Sequence, residues 1–143
     1  MKNILILLLI SGIMVNANFI RSGDIVTDSI TGLQWQDNSK VKTIRLDWEE
    51  AINYCEDLNF MGYNDWRLPN INELLSIVDD TKYNPAIDSI FIYTALEYYW
   101  SSTTLPHDKR YGWHIDFIDG TNDEIYSAAK WSSAYVRCVR AGE

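Results

Sequence analysis

The sequence is short of several residue types, and these shortages exclude some kinds of protein. Its 143 residues include two Cys, two His, three Pro and seven Gly. With so few Cys and His residues, we expect no zinc site. The chain also lacks internal repeats, low-complexity segments and any Pro- or Gly-rich linker. A chain of this length without a linker is predicted to form one domain.

Basic residues are scarce relative to acidic ones. There are 12 Lys and Arg residues against 20 Asp and Glu residues, which gives a formal net charge of −8. An acidic surface repels phosphate and sulfate groups, so the charge disfavours nucleic acids, anionic membranes and sulfated polysaccharides as partners. The charge does not identify a partner.

Long apolar runs are absent after the first residues of the chain. Lys2 precedes an apolar run over residues 4–15, and Val15-Asn16-Ala17 is typical of a signal peptidase site. We therefore predict a signal peptide at residues 1–17 and an exported domain at residues 18–143. The run is short for a membrane span, so no stable membrane insertion is expected after cleavage. An uncleaved N-terminal anchor is the alternative.

The first predicted helix begins after residue 47. Asp47 is a favourable N-cap, and Glu50 lies where it completes a capping box. An apolar stripe follows at helical spacing and comprises Trp48, Ala51, Ile52, Cys55 and Leu58. Gly62 is predicted to cap the end of this helix in the left-handed conformation.

A turn with a structural role is predicted just before a second helix. Pro69 disfavours helix at the preceding residue, and Asn70 with Glu73 forms a second capping box. The helix is expected to run from residue 71 to about 78. We expect Trp66 to pack beneath the turn. Arg67 should pair with a carboxylate or with loop carbonyls, because its planar fork has five donors.

Strand patterns occupy the beginning of the domain and its second half. Residues 24–28 and 33–36 flank a turn, and residues 119–122 have the composition of a hairpin turn. The other predicted strands are residues 93–102, 111–117, 124–126 and 134–140. Two early helices with a late antiparallel sheet predict the α+β fold class.

The two cysteines, Cys55 and Cys138, both lie in the part predicted to be exported. Each is expected to face the core, one from the first helix and one from the last strand. An even number of cysteines in an oxidising compartment favours one disulfide. Two free buried thiols are the alternative.

Five segments of the sequence resemble the Lcl C-terminal-domain family, whose fold is C-type-lectin-like. They are T-G-L-Q-W-Q at 31–36, W-E-E-A-I-N-Y-C at 48–55, D-W-R-L-P-N-I-N-E-L at 65–74, Y-W-S-S-T at 99–103 and Y-V-R-C-V-R at 135–140. The resemblance implies two helices packed on a small antiparallel sheet with long late loops. It also implies a bridge from the first helix to the final strand.

The resemblance further implies adhesion or ligand binding outside the cytoplasm, at the cell surface, in the periplasm or after secretion. Members of the family bind sulfated glycosaminoglycans through basic surfaces, whereas this chain is acidic and has no collagen-like repeats. An extracellular glycan or a protein is the expected ligand. A structural or assembly subunit of a surface complex is the alternative function.

In C-type-lectin-like folds the ligand side is built from late loops, which correspond here to residues 105–131. This segment combines aromatic faces with hydrogen-bonding groups, as sites for small polar ligands do. The predicted ligand residues are His107, Asp108, Lys109, Arg110, Trp113, Asp119, Asn122, Asp123 and Trp131. Trp35, Trp48 and Trp100 are instead predicted to lie in the core. The alternative is that the segment is an ordinary solvated loop.

No catalytic residue, metal or cofactor is predicted. His114 is expected to be a polar strand residue, because no Ser-His-Asp arrangement stands out. Calcium ligands at Asp119, Asn122, Asp123 and Glu124 are conceivable, but a solvated hairpin turn is favoured there. Residues 67–69 and 136–140 also resemble segments of formylglycine-generating enzymes. Those enzymes use a cysteine pair near the C-terminal end, and only Cys138 lies there.

Overall fold

The computed structural model describes residues 18–121 and 128–142 and has an α+β architecture. Its helices are α1 (Trp48–Glu56) and α2 (Ile71–Ser76), with a short 3₁₀ helix at Ser39–Lys42. The strands are β1 (Phe19–Ser22), β2 (Ile25–Asp28), β3 (Leu33–Gln36), β4 (Arg45–Leu46), β5 (Tyr98–Thr104), β6 (Tyr111–Asp116), β7 (Ala128–Ala129), β8 (Ala134–Tyr135) and β9 (Val139–Ala141). They form two sheets rather than the single small sheet that was predicted.

The first sheet has the strand order β1-β2-β3-β9 and is antiparallel throughout. The predicted hairpin at its centre is confirmed, with Val26 opposite Trp35. The side chain of Asp28 fixes the turn, because its carboxylate accepts hydrogen bonds from Ile30 N at 2.9 Å and Thr31 Oγ1 at 2.8 Å. The turn ends at Gly32, whose positive φ of 76° suits glycine.

The second sheet has the order β4-β8-β5-β6-β7 and includes one parallel pair, β5 with β8. β5 begins at Tyr98, not at residue 93 as predicted. The reason is that the residues before Tyr98 bond to side chains instead of to a strand. Tyr93 N donates to the Asp37 carboxylate at 3.2 Å, and Ala95 N donates to the Tyr99 hydroxyl at 2.8 Å.

The predicted last strand is divided between the two sheets. β8 pairs with β4 and β5, whereas β9 pairs with β3 in the other sheet. Arg137, the middle one of the three residues between them, is fully buried and donates from Nη1 to Asp37 Oδ1 at 2.8 Å. The chain thus passes from one sheet to the other at the point where Arg137 bonds to this carboxylate.

Helix α1 begins as predicted but ends earlier. Asp47 and Glu50 form the capping box, with bonds of 2.9 Å and 3.1 Å. The helix ends at Glu56, so the prediction that Gly62 caps it is wrong. Gly62 instead lies in a tight turn with Met61, where both residues have positive φ.

The turn before α2 has the structural contacts that its sequence predicts. Trp66 is only 2% exposed, and its ring lies 5.6 Å from that of Phe60. Arg67 donates hydrogen bonds from Nη1 and Nη2 to the Glu73 carboxylate, at 2.6 and 2.7 Å. These bonds lower the pKa of Glu73. The Asn70–Glu73 capping box starts α2, which ends at Ser76 rather than near residue 78.

A disulfide joins Cys55 of α1 to Cys138, as predicted, and both residues are fully buried. Around it lies one of two core clusters. This cluster consists of Ile25, Ala51, Cys55, Trp66, Leu68, Trp100, Ala134, Val136 and Cys138. The other consists of Val26, Trp35, Val41, Leu74, Ile77, Ile87, Phe91, Tyr99, Ile115, Phe117 and Val139. The bridge therefore links the helix to the segment that joins the two sheets.

The disulfide is expected to contribute strongly to stability. It closes a loop with a sequence separation of 83, for which the chain-entropy model gives about 4.5 kcal/mol. Replacing Cys55 and Cys138 together by Ala should lower the free energy of unfolding in urea by about that amount. Mass spectrometry of the native, non-reduced protein should find no alkylatable thiol, and finding two would contradict the bridge.

The fork from Arg67 to Glu73 is expected to stabilise the turn. Because the pair is partly exposed, Arg67→Ala should cost about 1 kcal/mol, or about 4 °C in Tm. Arg67→Lys is the matched control, since it keeps the charge and loses the fork, and it should restore only part of the loss. An unchanged Tm combined with lost ligand affinity would instead identify Arg67 as a ligand residue.

Candidate ligand cleft at the start of helix α1

A cleft of about 320 Å³ lies between the first turn of α1 and the turn that follows β7. We name it the Trp48–Trp131 cleft; it is lined by Asp47, Trp48, Glu49, Lys130 and Trp131. Two indoles, two carboxylates and one ammonium group therefore surround it. Trp131 belongs to the predicted ligand segment, whereas α1 belongs to the first half of the domain.

Trp48 forms the wall on the helix side. Its indole Nε1 donates to Ser101 O of β5 at 2.9 Å. A Cβ atom at Gly112 would lie 3.0 Å from the Trp48 ring, so a side chain there would push the indole away from β6. The prediction that Trp48 lies in the core is confirmed in part: its indole packs against the core cluster around the disulfide but stays partly exposed, because the first turn of α1 reaches the surface.

Lys130 crosses the cleft above this indole. Its Nζ lies 3.6 Å from the centroid of the Trp48 ring and donates to Thr104 Oγ1 at 2.9 Å. Burial lowers the pKa of Lys130. Its backbone joins three segments, because Lys130 N donates to Arg110 O and Trp48 N donates to Lys130 O, each at 2.9 Å. The turn is therefore fixed against both α1 and the loop before β6.

Trp131, the next residue, is 69% exposed although its backbone lies in a fixed turn. Ser132 N donates to Ala129 O at 2.8 Å, which closes this turn. On one side the Trp131 ring lies 6.2 Å from the ring of Tyr111. A large aromatic face is thus held open to solvent, and exposing it costs hydrophobic free energy that a ligand could recover.

Two of the predicted ligand residues pair with each other next to this turn. Arg110 Nε and Nη2 donate to the Asp108 carboxylate at 2.9 and 2.6 Å. Together with the Arg110 backbone N–H, this fork lowers the pKa of Asp108 to about 2. The pair leaves little net charge for a ligand and instead orders the loop that supports Lys130.

The structure brings together only part of the predicted ligand face. Trp113 lies on the same face of β6 as Tyr111, and His107 and Lys109 are exposed on the loop before it. Asp119 lies beyond the other end of β6, about 17 Å from that loop at the usual rise of a strand. The remaining two predicted residues, Asn122 and Asp123, lie outside the described residues, as do Glu124 and the predicted strand 124–126.

The sequence did not indicate the part of the cleft that comes from α1, whereas Lys130 and Trp131 both lie in the predicted ligand segment 105–131. The capping box locates Asp47 and Glu49 at a helix start, but nothing local indicates which late loop will cover that start. That contact depends on a hydrogen bond between residues 48 and 130. Within residues 18–121 and 128–142, no group of three or more His, Cys, Asp or Glu residues is placed to hold a metal ion.

His114 is a polar strand residue, as predicted, and it is buried. It is 3% exposed, stacks on Tyr98 with ring centroids 4.4 Å apart, and lies 6.1 Å from the ring of Trp100. Its Nδ1 has no hydrogen-bond partner among the described residues. Burial lowers the pKa of His114 below 6.5, although Asp116 opposes this shift. The aromatic neighbours therefore favour a neutral imidazole.

This burial predicts a pH-dependent stability. Below about pH 6.5 the unfolded chain protonates His114 while the folded chain resists it, so stability present above that pH is lost as the pH falls. His114→Gln should flatten the dependence of the urea midpoint between about pH 7 and pH 5. His107→Gln is the control, because that side chain is exposed. Equal slopes for wild type and His114→Gln would contradict the interpretation.

Comparison with known proteins gives a family for the chain. No curated protein matches it. None of the helices among the described residues has the length and apolar character needed to cross a membrane. The model of the Lcl C-terminal domain matches residues 24–140, which include the disulfide, both helices and all strands from β2 to β8. The chain belongs to the Lcl C-terminal domain family.

Proposed function

We propose that the chain is an exported, non-catalytic binding module that recognises a carbohydrate through the Trp48–Trp131 cleft. Its proposed fold is C-type-lectin-like, with adhesion or ligand recognition at the cell envelope or outside the cell as its role. The observation that carries the proposal is the exposure of Trp131, at 69%, on a turn held by backbone hydrogen bonds.

The chemistry of the cleft supports a sugar. Pyranose rings present C–H faces that pack on an indole, and their hydroxyl groups need donors and acceptors beside that face. Here the acceptors are the carboxylates of Asp47 and Glu49, and the donor is Lys130. An aromatic cleft with a polar rim suits a small polar ligand better than the flat apolar patch expected of an assembly subunit.

Charge supports a neutral or basic glycan rather than a sulfated one. The chain has a net charge of −8, and the cleft has two carboxylates against one ammonium group. The disulfide, the predicted signal peptide and the family are compatible with a location outside the cytoplasm. Formylglycine-type chemistry is disfavoured, because Cys138 is bonded to Cys55 and offers no thiol.

The test is a glycan array probed with the domain comprising residues 18–143. We expect binding to uncharged or amino sugars, and Trp131→Ala should weaken it about tenfold or more, because exposed indoles dominate such contacts. Tyr83→Ala is the matched control, since Tyr83 is also an exposed aromatic residue, at 77%, but does not line this cleft.

Other outcomes would count against the proposal. Failure of the folded wild-type domain to bind any glycan would favour the assembly-subunit alternative. Equal loss of binding in Trp131→Ala and Tyr83→Ala would show that the cleft is not the site.

A further inference from the structure

A second and larger cleft lies in the long connection between α2 and β5. Residues 77–97 contain no helix or strand of the two sheets, and loops longer than about 15 residues without such structure are uncommon and usually functional. The cleft measures about 560 Å³. We name it the Tyr83–Ile92 cleft; its lining comprises Thr81, Lys82, Tyr83, Pro85, Ile87, Asp88, Ser89, Phe91, Ile92 and Thr94.

The connection is built into the fold by hydrogen bonds at both of its sides. Asn84 N and Ala86 N donate to the backbone carbonyls of Ile118 and Phe117, at 2.8 and 2.9 Å. At the other side, Ile92 N donates to the buried Asp37 carboxylate at 2.9 Å. The cleft is therefore a formed feature of the folded domain, and binding there does not require ordering of the connection.

The cleft has an apolar floor and an apolar edge that faces solvent. Ile87 and Phe91 form the floor and belong to the core. At the edge, Tyr83 is 77% and Ile92 is 57% exposed. Ile118, 39% exposed, is joined to the same region by the bond from Asn84. Exposed apolar side chains beside an apolar cleft are typical of interaction sites.

Charge around the cleft indicates what kind of partner fits. The charged residues that line the cleft are Lys82 and Asp88, and Asp79 and Asp80 lie beside it in the chain. Lys82 Nζ lies 3.8 Å from Asp79, so this cation is already paired. Neither Asp80 nor Asp88 forms an ion pair within the described part of the chain. Asp88 accepts a hydrogen bond from Ile90 N at 2.9 Å through Oδ1, and this bond leaves its charge without a cation. Together with Asp80 and the net charge of −8, this carboxylate favours a basic partner.

We propose that the Tyr83–Ile92 cleft binds a basic polypeptide segment of a partner protein. An aliphatic or aromatic side chain of the segment enters between Tyr83 and Ile92, and an adjacent lysine or arginine lies at Asp88. A polypeptide fits better than a sugar because the floor is aliphatic and phenyl, and because tyrosine at the edge of such a pocket is a frequent anchor of protein interfaces. This second site is independent of the carbohydrate proposal.

The experiment uses short synthetic peptides with a fluorescent label. The central residue is Leu, Phe or Ser, and the flanking residues are Lys, Gly or Glu. Fluorescence polarisation against the domain of residues 18–143 should show the tightest binding for Leu or Phe flanked by Lys. That binding should weaken with added salt, because the lysines face carboxylates.

Three variants and one control locate the site. Tyr83→Ala and Ile92→Ser should each weaken binding about tenfold, while Asp88→Asn should mainly reduce the salt dependence. All three should keep the wild-type Tm, because these side chains are not in the core. Trp131→Ala is the control and should leave peptide binding unchanged.

The proposal fails if no Lys-flanked peptide binds more tightly than its Ser-centred or Glu-flanked counterpart. It also fails if Tyr83→Ala and Ile92→Ser bind as the wild type does. Loss of peptide binding in Trp131→Ala alone would move the polypeptide site to the Trp48–Trp131 cleft. If Trp131→Ala loses glycan binding and keeps peptide binding, the result supports both the carbohydrate site and the polypeptide site. The two proposals can therefore fail separately.

Discussion

The buried ion pair between Arg137 and Asp37 is the contact on which the arrangement of the domain depends. Both side chains are fully buried, and their closest atoms are 2.8 Å apart. Arg137 also donates to the backbone carbonyls of Gln36 and Tyr93, and Asp37 accepts from Arg21 and from the backbone of the long connection. Such a pair adds little net stability, but removing one partner leaves an unpaired buried charge and costs about 3–5 kcal/mol. It therefore specifies where three segments meet more than it strengthens the core.

The residue after Arg137 is Cys138, so the ion pair and the disulfide hold neighbouring positions of the segment that passes from one sheet to the other. Cys138 connects this segment to α1, whose first turn supplies Trp48. Arg137 connects it to residues 93 and 94, at the end of the connection that forms the second cleft. Both clefts are thus positioned from one junction, although neither Trp131 nor Tyr83 contributes to the core there.

The features that sequence reasoning recovered are those set by neighbouring residues. Two capping boxes and the β2–β3 hairpin depend on side chains a few positions apart, and the disulfide needs only two cysteines facing the core. The errors arise where contacts with residues distant in the sequence determine the local structure. The alternation of apolar and polar residues over 134–140 predicts one strand. In the structure, Arg137 instead bonds to a carboxylate 100 residues away in the sequence and lies in neither strand. Trp48 fits an apolar helical stripe, and only the contact with Lys130 makes it the wall of a cleft. The part of the candidate site that α1 supplies could therefore not be predicted from local sequence patterns.

The junction that holds the fold together lies apart from the exposed side chains that line the two clefts. Trp131, Tyr83 and Ile92 are exposed, so substitutions at these positions alter the surface of the clefts without creating cavities in the core. The two clefts already differ in chemistry. One presents an indole and an ammonium group beside carboxylates, whereas the other presents tyrosine and isoleucine beside aspartates. Because the core fixes the positions of the clefts and the exposed residues fix their chemistry, substitutions at the exposed positions change the chemistry of either cleft while the fold is retained.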